Sequence, residues 1–455
     1  MGLDAKRYWI LILGILANLC QGAAYASSVF AAPLLMHLGC MKLDTHGHLG
    51  PDMTKWGVAF SINLAMLPVG MLLFGKLADQ RSPRLVVFVG GLLFGMGMFL
   101  SGWVTSIKMF YVTFGLIMGL GSGAAYGTVV ATTVRWFPER RGLASGLAVG
   151  ALGFGTALIV PIADKLMKGA EALLRGRPIP TAHQVAEMIK MGQHVPTIPV
   201  LFTFKVLGIA FLALICLASI IMVNPPKDWK PAKAVVAAVA KKVSVADLTW
   251  TQMLGTGEFW ILFLLYACGA FSGLMVYSQA KQIGLKIVPG DLDPKAVALF
   301  ASALVSSLGL ANAFGRVLWG FVSDWLGRIP SLCLMFLITA VTMFLLPKLA
   351  LDRFALLPAG LLIAACYGGY LGTFPSICAD YFGGKNMQVN YALLFFGFAV
   401  AAIAGPTVAG KVLQRNGNYD QAYLIAGAVA AAGAIISLLL AMVQSKASKT
   451  ASTKA

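Results

Sequence analysis

The sequence predicts an all-α membrane protein with twelve transmembrane helices in two related six-helix domains. Three observations lead to this prediction. Of the 455 residues, 59% are hydrophobic and only 11% are charged, with a mean hydropathy of +0.82, which is outside the usual range of soluble domains. Apolar runs of about 20 residues recur along the whole chain, each long enough to cross a bilayer. The third observation is an internal repeat that divides these runs into two sets of six.

The twelve apolar runs begin close to the N-terminus and end close to the C-terminus. They lie near residues 8–35, 55–75, 85–104, 110–134, 142–163, 200–223, 258–280, 296–321, 330–347, 354–378, 389–412 and 421–443. The first run is too long for the core of a signal peptide and has no evident small-residue cleavage site. We therefore expect it to be retained as the first helix.

The internal repeat becomes visible when the chain is shifted by 245 residues. GKLAD at 75–79 then aligns with GFVSD at 320–324, and AYGTVVATTVRWF, from Ala125, aligns with YLGTFPSICADYF, from Tyr370. Two separate matches at one offset indicate a duplication. We predict an N-terminal six-helix domain, a cytoplasmic linker, a C-terminal six-helix domain and a cytoplasmic tail, with boundaries at 1–223, 224–254, 255–445 and 446–455.

The charged residues indicate contact with a membrane surface and no nucleic-acid partner. The net charge is +18, but the lysines and arginines are spread between the apolar runs instead of forming one patch. Such a distribution is typical of anchoring at the interfaces of a lipid bilayer. Their numbers on the two sides are nearly balanced, with a modest excess on the predicted cytoplasmic side when residues 165–205 are set aside.

The cysteines and histidines predict neither a disulfide framework nor a metal centre. Six of the seven cysteines lie in or beside apolar runs, where cysteine behaves as a small hydrophobic residue. Cys40 lies in a loop with His37, His46 and His48, which we interpret as a solvated loop, with a metal site as the weaker alternative. No phosphate-binding loop of the G-x-x-x-x-G-K-[ST] type is present, so we predict no cofactor, no ATP drive and no enzymatic reaction.

Arg316 is the most informative single residue, because it falls inside an apolar run. It precedes Asp324, predicted at a water interface, by eight residues, which at 1.5 Å per residue is about 12 Å. Every Asp and Glu lies outside the runs or at their ends, so no carboxylate accompanies it. A buried cation needs a partner, and a guanidinium fork matches a carboxylate. We predict that Arg316 binds an anionic substrate, and the alternative is a structural arginine held by carbonyls and hydroxyls.

Other polar residues inside the runs allow two interpretations each. Asn312 lies one helical turn before Arg316, so it could orient the guanidinium, meet the ligand or join two helices by a hydrogen bond. The hydroxyls of several tyrosines could bind a carboxylate, with packing as the alternative. These candidates are Tyr25, Tyr126, Tyr367, Tyr370 and Tyr391.

The duplicated segments resemble the cytoplasmic signature of the major facilitator superfamily, in which a Gly, an Asp and an Arg lie between the second and third helices of each half. GKLADQRSPR supplies Gly75, Asp79 and Arg84, with Ser82 where glycine is common. GFVSDWLGR supplies Gly320, Asp324 and Arg328. The resemblance implies the major facilitator fold, cytoplasmic termini and a role for these residues in contacts that stabilise one transport state.

RWFPERRGLASG at 135–146, together with RVLWGFVSDWLGR from Arg316, resembles the oxalate/formate antiporter branch and, more distantly, animal monocarboxylate transporters. The resemblance implies that Arg316 binds the carboxylate and that Tyr126 and Tyr367 line the same cavity. Oxalate transporters of this group carry a lysine eight residues after the Asn of an Asn-Tyr pair. Here Asn390-Tyr391 leads to Phe398 at that position, so we expect a monoanion instead of a dianion.

These observations predict a secondary transporter of small monocarboxylates, such as lactate, pyruvate or formate, in a cell (inner) membrane. The expected partners are the substrate, the lipid bilayer and, as an open alternative, protons, and we expect a monomer. Anion exchange of the oxalate/formate type is the alternative hypothesis. Drug or sugar export and a transporter-like solute sensor rank lower, because no buried carboxylate is available for cationic drugs and no long signalling extension is present.

Overall fold

The computed structural model describes residues 3–26, 28–43, 49–173, 198–226, 229, 247–287, 294–349 and 353–453. His46 and His48, the loop residues 174–197 and linker residues 230–246 lie outside the described residues. The described residues are almost all helical. A small antiparallel hairpin is the exception, with β1 (Met41–Leu43) pairing with β2 (Leu49–Pro51).

The first half of the chain contains helices α1 to α9. They are α1 (Leu3–Gln21), α2 (Ala23–Ala26), α3 (Ser28–His37), α4 (Met53–Gln80), α5 (Pro83–Leu100), α6 (Ile107–Phe110), α7 (Met118–Trp136), α8 (Arg141–Leu173) and α9 (Ile198–Ser219). A 3₁₀ turn (Ser101–Trp103) follows α5, and a π-helix (Tyr111–Ile117) joins α6 to α7.

The second half contains helices α10 to α16. They are α10 (Trp250–Leu254), α11 (Gly257–Ile287), α12 (Pro294–Leu326), α13 (Arg328–Leu349), α14 (Arg353–Phe382), α15 (Met387–Asn416) and α16 (Asp420–Thr453). The last helix therefore continues through eight of the ten residues that the sequence assigns to a tail.

All twelve predicted runs coincide with helical segments. In the described part of the chain, ten helices are long and apolar enough to cross a membrane. The first predicted run corresponds to α1 through α3, and the eighth to α12. The predicted all-α membrane fold is thus confirmed.

The first run is interrupted, although the sequence predicts one helix. The chain turns at Gly22, between α1 and α2, and the carbonyl of Gly22 accepts a hydrogen bond from Thr156 Oγ1 at 3.2 Å. The same carbonyl also accepts the Ala26 N–H at 3.1 Å, so it bonds to its own helical ladder and to a side chain of another helix at once. Pro33 also removes one donor inside α3.

The π-helix is a second local feature that the apolar pattern does not predict. Its Phe114 carbonyl accepts a hydrogen bond of 2.7 Å from the Asn63 amide on α4. Asn63 is fully buried, and this bond satisfies its donor inside the protein. The looser π turn thus provides an acceptor for a polar side chain of a neighbouring helix.

The described chain divides into two compact units that do not coincide with the two repeats. Unit 1 comprises residues 1–11, 130–153 and 225–455, and unit 2 comprises 12–129 and 154–224. In unit 1 a core cluster lies among α11 to α16 and includes Met275, Leu308 and Met343. In unit 2, aromatic stacking of Trp56, Phe110 and Phe114 joins α4 to α6 and the π-helix. The sequence-based domain boundaries remain a prediction.

Candidate functional site

Arg316 lies on α12 in unit 1, and only 6% of its surface is exposed. Its Nε and Nη2 both donate to Asn312 Oδ1, at 3.1 and 2.9 Å, and its Nη1 donates to the Val149 carbonyl at 2.9 Å. Asn312 in turn donates to the Ala364 carbonyl at 3.3 Å. The guanidinium is therefore oriented by an amide of its own helix and a carbonyl of α8, and it forms no ion pair with any carboxylate that the structure describes.

Two glycines let neighbouring helices approach the backbone of α12 at Arg316. A Cβ added to Gly146 on α8, or to Gly372 on α14, would lie 2.4 Å from the Arg316 carbonyl oxygen. No residue with a side chain fits at this distance. Because α8 approaches so closely, the Val149 carbonyl comes within hydrogen-bond distance of the guanidinium.

The guanidinium has donors beyond those that its protein partners use. Arginine carries five N–H groups, and the three hydrogen bonds to Asn312 and Val149 leave one N–H on each terminal nitrogen. Two parallel donors of this kind can bind both oxygens of one carboxylate. The site thus combines a fixed cation with two N–H groups that have no hydrogen-bond partner among the described residues.

Three aromatic candidates from the sequence, Tyr367, Tyr391 and Phe398, are buried in unit 1. Tyr367 packs against Gly273 of α11. Tyr391 and Phe398 belong to an aromatic cluster whose members come from α11, α14 and α15. This aromatic cluster consists of Tyr266, Phe374, Tyr391, Phe395 and Phe398.

A polar contact joins two tyrosines of the aromatic cluster. Tyr266 stacks on Phe374 with ring centroids 4.0 Å apart, and its hydroxyl lies 3.4 Å from that of Tyr391. Phe398 packs 4.9 Å from Phe395 and 6.2 Å from Tyr266. Phe398, the position for which the sequence resemblance implies a lysine in oxalate transporters, therefore lies among aromatic rings.

Tyr370, on α14, is also buried in unit 1, and the two remaining tyrosine candidates lie in unit 2. Tyr126, on α7, is buried. Tyr25 lies in α2, and its side chain is outside the described part of the structure. One turn before Tyr126, Ser122 donates to Gln21 Oε1 at 3.0 Å, and Gln21 Nε2 donates to Asn18 Oδ1 at 3.0 Å. This buried polar cluster was missed in the sequence, where Asn18 and Gln21 appear as isolated polar residues in the first run.

The second copy of the signature motif forms an ion-pair network in unit 1. Asp324 accepts hydrogen bonds from the backbone N–H groups of Gly142 and Leu143, both at 2.8 Å, and pairs with Arg328 at 2.8 Å. Because α8 begins at Arg141, these are first-turn N–H groups that have no partner within their own helix. A carboxylate there also interacts favourably with the positive end of the helix dipole.

Asp380 extends this network, and it had no assigned role in the sequence. Arg328 Nε donates to Asp380 Oδ2 at 2.6 Å, and Arg141 Nη1 donates to Asp380 Oδ1 at 2.7 Å. Asp324, Arg328, Asp380 and Arg141 together form the ion-pair network. Residues of the second repeat thereby hold the start of α8, which belongs to the first repeat.

The first copy of the motif has different surroundings in unit 2. Gly75 is buried in α4, whereas Arg84 is exposed in the first turn of α5. Within the described ranges, Arg84 forms no ion pair. Asp79 is half-buried near the end of α4. The two copies of the motif are therefore alike in sequence but not in the contacts of their arginines.

Two further contacts in unit 1 involve the N-terminus and the linker. Arg7 pairs with Glu139 at 2.6 Å. The guanidinium carbon of Arg7 lies 5.9 Å from the ring centroid of Trp229, a residue in the first part of the linker. Neither contact could be predicted from the sequence, because the partners are far apart in the chain. Arg7 and Glu139, for example, are separated by 132 residues. The sequence shows only that Arg7 is a basic residue near the N-terminus and that Glu139 is an acidic residue shortly before α8.

The turn after α14 is contacted from two sides. Arg135 donates to the carbonyls of Gly384 and Lys385 at 2.6 and 3.2 Å. From the end of the linker, Asp247 Oδ1 accepts from the Lys385 N–H at 3.0 Å. The N–H of Leu248 bonds to the carbonyl of the last residue of α14 at 3.0 Å. We call residues 383–386 the α14–α15 turn.

A metal site is not visible in the described part of the chain, where no three His, Cys, Asp or Glu side chains stand together. Cys40 is buried there, and its thiol contacts the Leu38 carbonyl. His46 and His48, which the alternative of a metal site in this loop needs, lie outside the described residues.

Comparison with known families identifies the fold. The Major Facilitator Superfamily model matches residues 14–289 and 287–455. The chain belongs to the Major Facilitator Superfamily. Among solved structures, this superfamily member is similar to the Escherichia coli fucose:proton symporter FucP, with a TM-score of 0.69 and 13% identity over 96% of this chain and 99% of the other. It is also similar to the human organic anion transporter MFSD10, with a TM-score of 0.64, 16% identity and coverage of 96% and 100%.

Curated relatives of this superfamily member are transporters. An uncharacterized MFS-type transporter, YhjX of E. coli, is 26% identical over 402 residues, covering 88% of this chain and 86% of the relative. The oxalate:formate antiporter of Oxalobacter formigenes is 27% identical over 431 residues, covering 93% and 89%. Human monocarboxylate transporter 12 is 24% identical over 386 residues, covering 82% and 70%. The predicted resemblance to the oxalate/formate antiporter and monocarboxylate transporter branch of the superfamily is thus confirmed.

Proposed function

We propose that this protein is a secondary transporter of small monocarboxylates, such as lactate, pyruvate or formate, and that Arg316 binds the carboxylate. Transport proceeds by alternating access between the two repeats. The observation that carries the proposal is the buried guanidinium of Arg316, which has no described carboxylate partner and one available N–H on each terminal nitrogen. The names of the oxalate:formate and monocarboxylate relatives support the same substrate class.

The neighbours of Arg316 orient the cation without neutralising it. Asn312 and Val149 contribute only neutral oxygen acceptors, so neither supplies an opposite charge. Placing a charge in a low-dielectric region costs several kcal/mol unless an opposite charge compensates. A substrate anion provides that charge, and its carboxylate accepts two parallel hydrogen bonds.

The aromatic surroundings of Phe398 favour a substrate with one negative charge. A dicarboxylate needs a second cation or a set of polar donors, because an uncompensated carboxylate in an apolar site is strongly disfavoured. Phe398 contributes a ring at the position where oxalate transporters have a lysine, and its ring packs against Phe395 and Tyr266. Oxalate therefore ranks below a monocarboxylate.

Anion exchange of the oxalate:formate type is the alternative within transport, and the 27% identical antiporter favours it. A solute sensor that binds without transport is the alternative from another class. In either transport mode we propose a monomer in a cell (inner) membrane, with both termini in the cytoplasm. The conformational motifs consist of Gly75, Asp79, Arg84, Gly320, Asp324 and Arg328.

Counterflow in proteoliposomes tests the proposed function. Vesicles loaded with unlabelled lactate, pyruvate, formate or oxalate are diluted into the labelled anion. We expect transient accumulation with a monocarboxylate. Binding to the purified protein without accumulation would identify a sensor, and accumulation of oxalate alone would contradict the monocarboxylate proposal.

Replacing Phe398 with lysine is expected to shift selectivity toward dicarboxylates. A second cation pairs with the second carboxylate, and a charge-assisted hydrogen bond contributes about 1.5–3 kcal/mol, so the ratio of oxalate to lactate uptake should rise about tenfold. Phe398→Met, which changes the ring without adding charge, is the control. An unchanged ratio in a monodisperse Phe398→Lys protein would mean that Phe398 does not face the substrate.

Exchange of substrate is expected to be severalfold faster than net efflux at equal pH on both sides. The empty site holds an uncompensated cation, which disfavours the return step, whereas the loaded site is neutral. Labelled efflux from loaded vesicles is measured with and without external substrate. A substrate-free proton leak that a single change such as Asp164→Asn abolishes would instead assign coupling to a protein carboxylate.

A further inference from the structure

A groove on the surface of unit 2 lies between α5 and α9, and the proposed transport site does not include it. Its volume is about 700 Å³, which is within the range of small-molecule sites. The nine residues that line it come from the first two turns of α5 with its N-cap residue, and from the last two turns of α9 with the residue that follows. They are Ser82, Arg84, Leu85, Phe88, Ala213, Cys216, Leu217, Ser219 and Ile220.

The groove begins where close contact between the two helices ends. A Cβ added to Gly91 would lie 2.8 Å from Ile215 Cγ2, and one added to Gly95 would lie 2.4 Å from Leu212 Cβ. At these glycines α5 therefore packs directly on α9. One turn before Gly91 the residue is Phe88, whose side chain is 41% exposed and forms part of the groove wall.

The walls of the groove are apolar and exposed. Leu217 is 60% exposed and Ile220 is 55% exposed. Both α5 and α9 are long and apolar enough to cross a membrane. Exposed large apolar side chains on such helices face lipid, because contact with water would be unfavourable. The groove is therefore open to acyl chains.

One end of the groove is cationic. Arg84 is exposed in the first turn of α5 and has no ion-pair partner in the described ranges, and the neighbouring Arg81 is also exposed. The positive end of the α5 dipole adds to this charge. The hydroxyl oxygen of Ser82 accepts the Leu85 N–H at 3.2 Å and so caps the helix.

We propose that this groove binds an anionic phospholipid, with one acyl chain between α5 and α9 and the phosphate at Arg84. Such a lipid matches both properties of the groove. Its acyl chain contacts the apolar walls at Phe88 and Leu217, and its phosphate lies at the cationic end, where α5 begins. A small free anion would use only the cation, and a zwitterionic lipid would bring its own positive charge to Arg84. An anionic headgroup also gains the attraction of the arginine, which a neutral headgroup does not.

Native mass spectrometry of the purified, delipidated protein tests this proposal. Dioleoyl phosphatidylglycerol and dioleoyl phosphatidylcholine are added at equal concentrations, with inorganic phosphate and oleate as separate arms. We expect phosphatidylglycerol to bind about fivefold more tightly than phosphatidylcholine. Phosphate, which lacks the chain, should not compete, and oleate should compete only weakly.

Three variants separate the headgroup site from the acyl site. Arg84→Gln should reduce phosphatidylglycerol binding about fivefold, to the level of phosphatidylcholine, and Arg84→Lys should keep the preference. Ala213→Phe fills the groove at an exposed position and should weaken binding of both lipids. Arg140→Gln removes another exposed arginine, distant in sequence from the groove residues, and should change neither.

Equal binding of the two lipids to the parent protein would overturn the proposal, as would an unchanged preference in folded Arg84→Gln. If Arg84→Gln does not fold, two measurements still test the lipid site. They are the relative binding of phosphatidylglycerol and phosphatidylcholine to the parent protein, and the loss of binding in Ala213→Phe. Competition by inorganic phosphate would indicate a free-phosphate site. None of these measurements involves transport, so their outcome is independent of the proposed function.

Discussion

Replacing Arg316 with lysine is expected to raise the apparent Kd for a monocarboxylate at least about tenfold, while the protein still folds and inserts. A hydrogen bond to a charged group contributes about 1.5–3 kcal/mol, and tenfold corresponds to about 1.4 kcal/mol. Lysine keeps the positive charge but has one nitrogen and no planar fork. It cannot satisfy Asn312 and Val149 and present two parallel donors to a ligand at the same time.

Uptake into proteoliposomes and ligand-induced thermal stabilisation together measure this effect. Arg140→Lys is the matched control, because the same exchange at an exposed arginine should leave both measurements unchanged. If Arg316 is only a structural residue, Arg316→Lys lowers the melting temperature of the empty protein but leaves the ligand-induced shift intact. Near-normal uptake by a stable Arg316→Lys protein would contradict the proposed role in substrate binding.

Asp324→Asn is expected to destabilise the described conformation by about 2 kcal/mol, which corresponds to about thirtyfold in its population. Asp324 accepts two backbone N–H groups of α8 and pairs with Arg328, and the two side chains are only 15% and 11% exposed. Asparagine has one acceptor oxygen and no charge. One N–H of α8 and the Arg328 guanidinium would both lose a partner.

The loss of the described conformation can be measured by thiol labelling of a cysteine at position 145, introduced as Ser145→Cys into both the parent protein and the Asp324→Asn variant. Ser145 is fully buried, and its hydroxyl lies 2.7 Å from that of Ser376 in unit 1. A maleimide should therefore label it, above the background of the seven native cysteines, only when α8 separates from α14. We expect Asp324→Asn to accelerate labelling by at least about tenfold.

Asp164→Asn is the matched control for Asp324→Asn. Asp164 pairs with Lys168 at 2.7 Å, but the side chains are 50% and 70% exposed, and exposed pairs contribute little to stability. Labelling should be unchanged in this control. Equal labelling rates in Asp324→Asn and the parent would exclude the ion-pair network as the contact that limits separation of α8.

The fold was predictable from the sequence because it depends on patterns that are local in the chain. Apolar length determines whether a segment can span the bilayer, and the repeat offset linked Asp79 to Asp324 before any contact was known. The break at Gly22 and the π-helix were not predictable in this way. At both places a side chain of another helix, Thr156 or Asn63, donates a hydrogen bond to a backbone carbonyl.

The candidate site was predictable only in part, for a related reason. A charged residue in an apolar run is visible in one sequence, so Arg316 and its neighbour Asn312 could be identified. Val149 contributes a backbone carbonyl, and any residue type has one. Asp380 appeared only as an acid at the end of a run, and its pairing with Arg141 and Arg328 depends on three helices that meet in the folded chain.

The α14–α15 turn has a consequence for the speed of the proposed cycle. Asp247 and Leu248 bond to the backbone at this turn, and Asn386 donates to the Leu248 carbonyl at 2.9 Å. The linker thus keeps the turn ordered whether or not Arg135 is bound to it. Ordering a residue costs about 1–2 kcal/mol of conformational entropy. When Arg135 returns to the carbonyls of Gly384 and Lys385, it meets a preorganised acceptor pair, so the contact re-forms without a search among loop conformations.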